Sequence, residues 1–518
     1  MISIKHDKSS MKYRTVLALF GFIGASIILY STSRYGVGLP NDGVLYIVVA
    51  RHIADGNGVT FNDSPVVLHP PLYSVILSVL DYSLGIDPLS SAPIVNAILF
   101  GIIVYFSGML FNKFVSSSYI PSLILIFFLL VTSPLYEVAL IAWSEPLFIC
   151  LVLIYLFGCQ QYAVKEDWNS ILLMSLSTSL ACLTRYIGII LIPMGMAHIL
   201  LISAAKQMKA RGRHLIIYLL IAVVPIGLWI LRNFLLSDTW FGRRHPSQFS
   251  LAENINFTVD TILSWYIPNQ IVGAPEIRLY LGIITGILLA INIRKKSQET
   301  QTVLNQISPA LLFVTVYVSS LIISSTLIAY DQINNRLLSP AFVPLTMLGV
   351  YYFTKVFQST KSRFRRTPVD TILLILLIIG AGAYQAHATF SIISNHYATG
   401  GYGYNNKFWQ ESDTIQYLLS QPTLASNCTI YSNVPMALQM VDIRAHWLPA
   451  RRAHNSTKLL DQISDLRGVW PQEDRICLVW FTREFIYRIF DLEEFQTITI
   501  MEIIVRLSDG EIYMVRKR

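Results

Sequence analysis

"LPNDGVLYIVVARHIADGNG", Leu39 to Gly58, is the stretch on which the reading of this chain turns. It follows a long apolar run and sets an acid, Asp42, where that run leaves a membrane. The residues after Asp42 form a helical pattern too polar to cross a bilayer and too apolar to lie in water. A helix resting at the membrane surface suits both facts. The aspartate at its start is either a cap for free helix N–H groups or a chemical group placed at the lipid–water boundary.

The rest of the chain agrees with a membrane reading. Its 518 residues are 53% hydrophobic and only 14% charged, where soluble domains carry roughly a quarter charged residues. Several windows reach the roughly 20 apolar residues that span about 30 Å of hydrocarbon. The net charge of +8 is spread over basic runs between apolar segments. That pattern belongs to loops facing anionic lipid and excludes nucleic acid as a partner.

The expected fold is a polytopic α-helical membrane protein of about eleven spans. They are placed at Val16–Ser33, Ile94–Phe111, Tyr119–Pro134, Pro146–Ala163, Ser170–Thr184, Ile187–Ser203, Leu215–Leu235, Leu279–Ile293, Ala310–Tyr330, Leu337–Phe357 and Thr371–Phe390. The first span is read as uncleaved, because no small-residue cleavage site follows it. With the N-terminus cytoplasmic, the basic runs "KHDKSSMKYR", "KQMKARGR" and "KSRFRR" all fall inside, as the positive-inside bias requires. An odd count exports the tail. The protein is thus expected as a multi-pass plasma (inner) membrane protein.

Residues 1–392 make the transmembrane unit, with long outer loops at 34–93 and 237–276. From about Asn405 alternating patterns such as "TIYSNV", "RICLVWF", "FQTITIMEIIVRL" and "GEIYMVRK" predict strands. "FWQESDTIQYLLSQ" and "STKLLDQISDL" predict helices. Residues 405–518 are therefore expected as an extracytoplasmic mixed α/β domain. Cys428 and Cys477 lie in it without metal-ligand spacing; if exported they have the option of a disulfide. Cys150, Cys159 and Cys182 read as small buried hydrophobes.

Ionisable residues at membrane boundaries raise a functional hypothesis by default. The topology puts Asp42, His69, Glu145, Arg185, Arg232, Arg243, Arg244, Asp331 and Arg336 on the outer side. Each has an ordinary alternative. Glu145 before Pro146 complements a helix dipole, Arg185 snorkels to headgroups, and the Arg243–Arg244 pair is simply solvated. Arg336 is the least ordinary, because it precedes a span on the side where orientation gains nothing from a cation.

Taken in order, "LYIVVARHIADG" with Asp42, "HPPLYS", "SEPLF", "LTRYIGIILIP", "LRNFLLSDTWFG" and "NRLLSP" resemble the GT-C superfamily of membrane glycosyltransferases. The phospholipid carrier-dependent group, with the protein O-mannosyltransferases and aminoarabinose transferases, is the nearest likeness. It extends over about Tyr13 to Phe390. The resemblance implies an enzyme that takes a sugar from a polyprenyl-phosphate carrier and passes it to a lipid, glycan or protein acceptor on the extracytoplasmic side. It implies catalytic roles for Asp42, as base, and Glu145. It implies substrate-binding roles for His69, Tyr73, Arg185, Tyr186, Arg232, Arg243, Arg244, Asp331 and Arg336. Many members have an acidic residue beside this aspartate, as in "DE", whereas here the sequence is "NDG", and His69 stands where many have Lys or Glu. Metal use and acceptor class therefore do not follow from the resemblance; a divalent metal is compatible with these residues and not required by them. Burial against apolar surface is expected to raise the Asp42 pKa towards a useful value. The rival classes are an O-antigen polymerase or ligase and a polytopic lipid or solute transporter; the absence of repeated halves disfavours the second.

Overall fold

The computed structural model describes residues 2–114, 119–202, 208–266, 298–363, 368–449, 475–482 and 489–518, with positions 466, 470, 471 and 473 between. Helices occupy ten of the eleven expected spans; the eighth, Leu279–Ile293, lies outside the described residues. The chain opens with α1 (Ile2–Thr32), then α2 (Asn41–Ala54) and α3 (Leu72–Leu84) in the long segment before the next expected span. The bundle continues with α4 (Pro88–Phe114), α5 (Ile120–Val131), α6 (Ser133–Ala139), α7 (Glu145–Lys165), α8 (Trp168–Thr184) and α9 (Leu191–Ala197). It is completed by α10 (Met208–Ser237), α11 (Leu251–Ser264), α12 (Gln298–Leu327), α13 (Asn335–Arg363) and α14 (Pro368–Thr399).

Among the described residues five helices are by themselves long and apolar enough to cross a membrane, or six if the bent pair α5–α6 is one span. The 54° bend of that pair falls at Thr132–Pro134, where proline withdraws a backbone donor. The sixth expected span is not one helix. It divides into a 3-10 turn at Tyr186–Ile190, α9, and a π-turn at His198–Ile202, with Gly188 and Pro193 interrupting the regular ladder. Large apolar side chains point outward along the helices, as Phe22 on α1 and Leu220, Leu228 and Leu235 on α10 do. In water that would be costly, and against lipid it is neutral. α1 packs against α4 at backbone distance: a methyl group on Gly21 would sit 2.8 Å from the Gly101 carbonyl oxygen, the small-residue contact by which apolar helices associate.

Two short strands between α2 and α3, β1 (Thr60–Phe61) and β2 (Ser64–Pro65), pair antiparallel. The C-terminal unit carries a five-stranded mixed sheet in the order β4 (His446–Trp447), β3 (Thr429–Ser432), β5 (Ile476–Phe481), β7 (Gly510–Lys517), β6 (Thr499–Arg506). β3 runs parallel to β4 and β5, while β7 is antiparallel to β5 and β6. Central β5 is buried along nearly its whole length, with one apolar cluster containing Cys477 and Val479 and another containing Ile476 and Leu478. Side-chain alternation along the strand makes these two cores, one on each face of the sheet. The parallel register pairs Ile430 with Cys477, and the Cys428–Cys477 disulfide closes beside it. Two expectations change here. Phe495–Ile498 of "FQTITIMEIIVRL" end the helix Leu492–Ile498, started by an Asp491–Glu494 capping box. "FWQESDTIQYLLSQ" breaks into Lys407–Gln410 and Asp413–Ser420, because Ser412 caps the second piece. "STKLLDQISDL" lies almost wholly outside the described residues.

Candidate functional site

Three backbone segments meet where α2 begins. The Gly38 N–H donates to Leu140 O at 2.9 Å, the Ala142 N–H to Gly38 O at 3.0 Å, and the Tyr404 N–H to Leu39 O at 2.7 Å. Gly403 adopts φ +100° with its Cα against the Leu39 carbonyl, a place where no Cβ fits. Asn405 clasps the same strand, donating to Tyr35 O and Val37 O at 2.7 and 3.0 Å. This layering fixes the starts of α2 and α7 side by side, and so brings Asp42 towards Glu145.

Neither carboxylate serves as a helix cap. α2 is capped at Pro40 and α7 at Ser144, both without a side-chain cap bond. Arg336, in the first turn of α13, joins the two instead. Its Nη2 donates to Asp42 Oδ2 at 2.5 Å and its Nε to Glu145 Oε1 at 2.7 Å. Arg185, in extended conformation after α8, also pairs with Glu145 Oε1. Glu145 is fully buried, so the two guanidinium groups supply the compensation that a buried carboxylate needs. The Arg336 guanidinium lies 4.2 Å from the centroid of the Trp143 ring, which adds cation–π attraction. Its Nη1 has no partner among the described residues closer than Asp331 Oδ2 at 4.0 Å.

A neutral chain extends the cluster. The Tyr46 hydroxyl lies 3.1 Å from Ser144 Oγ and 3.4 Å from His69 Nδ1, and His69 Nε2 faces Asp42 Oδ1 at 3.9 Å. Burial acts to raise the Asp42 carboxyl, but the His69 ring and the Arg336 guanidinium outweigh it, and the group is held below the ordinary carboxylate range. The expectation of a raised Asp42 pKa is thus corrected for this arrangement, because an ion pair at contact distance exceeds the desolvation penalty. A cavity of about 390 Å³ opens beside the cluster, lined among others by Arg336, Trp143, Glu137, Asn335, His396 and Tyr402.

The remaining expected residues are used otherwise. Tyr73 is buried and donates to Asn96 Oδ1, while Asn96 donates to Ala139 O and Ile141 O ahead of α7. Tyr73 therefore positions the Glu145 turn. Arg232 donates to Val59 O and Val66 O, and the Tyr186 hydroxyl donates to Val67 O at 2.6 Å, so both hold the segment between α2 and α3. Arg244 lies over the Tyr330 ring with its charge acting on His69, and Arg243 is exposed. Among the described residues no three His, Cys, Asp or Glu side chains gather as a metal site. Tyr46, Ser144 and Trp143 carried no signal in the sequence, being neutral residues in apolar surroundings.

Helical bundle, intervening shorter helices and C-terminal sheet together make a fold that is found in solved membrane-protein structures. The chain shares its fold with ArnT from Cupriavidus metallidurans. Against the crystal structure bound to undecaprenyl phosphate the TM-score is 0.58 at 11% identity, over 98% of each chain. Against the apo structure it is 0.53 at 12% identity, over 96% of this chain and 97% of that one. No protein-family model and no curated protein sequence matches the chain.

Proposed function

We propose that this chain is an integral-membrane glycosyltransferase that moves a sugar from a polyprenyl-phosphate carrier to an acceptor hydroxyl on the extracytoplasmic side. One observation carries the reading: Arg336 spans Asp42 and Glu145 while lining an open cavity at the helix mouths. Fixed positive charge, a carboxylate and an open approach are what this transfer needs. Asp42 accepts the proton of the acceptor hydroxyl, whose oxygen attacks the anomeric carbon. The carbon–oxygen bond to phosphate breaks with its electron pair on the phosphate, and Arg336 and Arg185 stabilise the charge as it develops. Glu145, assigned a catalytic role by the resemblance, is too buried to meet substrate and acts by holding both arginines. The fold it shares with a protein crystallised with undecaprenyl phosphate supports the choice of carrier.

Purified protein given a polyprenyl-phosphate-linked sugar and an acceptor extract is expected to release polyprenyl phosphate as the sugar is transferred. Transfer from a soluble nucleotide sugar alone, with the lipid-linked donor inert, would refute the reading. Release of polyprenyl pyrophosphate would point to the polymerase class.

Charge bias supports the extracytoplasmic side, as does the Cys428–Cys477 disulfide, which suits an oxidising compartment. Reporter fusions after Lys361 and after Arg518 are expected to lie on opposite sides, the second outside. Both on one side would remove the odd span count and the exported C-terminal domain with it.

A further inference from the structure

Among the described residues the two cations that meet Asp42 and Glu145 are themselves held by carboxylates. Asp42 and Glu145 are matched by Arg336 and Arg185 through direct ion pairs. Arginine grips phosphate most strongly with two parallel N–H groups. On Arg336 the available fork is Nη1 with Nη2. Among the described residues Nη1 meets nothing closer than Asp331 at 4.0 Å, while one N–H of Nη2 is given to Asp42, whose negative charge an incoming phosphate would meet at this fork. Nε, the third edge, is anchored on buried Glu145.

Building on the proposed function, we infer that the carrier phosphate displaces Asp42 from the Arg336 fork, so that donor binding itself releases the base. Glu145 is the positioning residue of this exchange. It keeps Nε while the fork changes partner, and its Oε2, without a hydrogen-bond partner among the described residues, lets Arg185 take a second oxygen. In the resting site the ion pair holds the Asp42 carboxyl low and makes it a weak base. Once Arg336 turns to phosphate, Asp42 loses its strongest contact and gains a negative neighbour. Both changes favour its protonated form, and so its capacity to take the acceptor's proton. The carboxylate thus becomes a competent base only when the donor is seated, which limits idle chemistry in the empty site.

The inference makes Asp42 a competitor of the substrate, so removing its charge must strengthen binding. The probe is the methyl diester of undecaprenyl phosphate, which carries one fixed negative charge and no sugar. Asp42→Asn is expected to bind it roughly tenfold more tightly than wild type at neutral pH, the scale of one charge-assisted hydrogen bond. The gap should close as pH falls into the carboxylate range, where wild-type Asp42 is itself protonated. The charged and titratable groups facing Asp42 are Arg336 on α13, Arg185 after α8, His69 before α3 and Tyr46 on its own helix, all common to both proteins. Wild type should also take up protons on binding at mildly acidic pH, read by calorimetry in buffers of different ionisation enthalpy; this measurement stands even if the variant is unstable. Equal or weaker binding by a folded Asp42→Asn variant, or no proton uptake, overturns the exchange while leaving the glycosyltransferase reading in place. No binding of the probe by wild type overturns both.

Discussion

Asp42→Asn is expected to reduce sugar transfer by roughly a hundredfold or more, with the amount of folded protein near that of wild type. The helix does not depend on this side chain for a cap, since α2 starts at Pro40 with no side-chain cap bond. Asparagine has the same shape and keeps an oxygen to accept from Arg336 Nη2. What it cannot do is take a proton from a hydroxyl. The decisive measurement is the transfer rate at saturating lipid-linked donor, beside a thermal melt in detergent. A loss confined to the rate, with the melt unchanged, identifies a base; turnover within a few-fold of wild type would leave Asp42 as a mere partner of Arg336. Tighter carrier binding together with lost turnover separates this variant from a generally damaged protein.

The individual charges of the site were legible in the sequence, and their pairing was not. Asp42, Glu145, Arg185 and Arg336 each stand out because a charge at a membrane boundary needs a reason. Yet Arg336 meets Asp42 across 294 residues and Glu145 across 191, and periodicity speaks only of neighbours along a helix. The same limit applies to the backbone layering at Gly38, Ala142 and Tyr404, which depends on three segments far apart in the chain. Charge alone also selects too much: Arg232 lies near a helix end as Arg336 does, but it donates to carbonyls between α2 and α3. Helices fall on ten of the expected spans because apolar length is a local property. Their breaks at Thr132 and after Tyr186 were less visible, since proline and glycine are tolerated in membrane helices. In the C-terminal unit the strands were found by alternation, but the Cys428–Cys477 bond depends on the parallel register of β3 and β5, which sequence spacing does not determine.

Arg336 carries the second large effect. Replacing it with alanine removes the fork that faces the cavity, the partner of Asp42, and one of two cations on Glu145. The fold should survive, because Arg185 still pairs with buried Glu145 and no carboxylate is left buried alone, the case that costs about 3–5 kcal/mol. Loss of one or two charge-assisted hydrogen bonds to phosphate, each about 1.5–3 kcal/mol, weakens carrier binding roughly ten- to a hundredfold or beyond. Turnover should fall further than binding, because the same group stabilises the phosphate as it departs. Arg336→Lys tests geometry apart from charge. A lysine ammonium is a point charge whose three N–H groups diverge, so it cannot hold Glu145 and offer two parallel N–H groups to phosphate at once. It is therefore expected to fall between alanine and wild type in binding, and much nearer to alanine in rate. Carrier affinity and transfer rate, measured on equal amounts of folded protein, decide it. Wild-type behaviour of the lysine variant would mean that the site needs only positive charge, and the two-pronged grip on the phosphate would have to be given up.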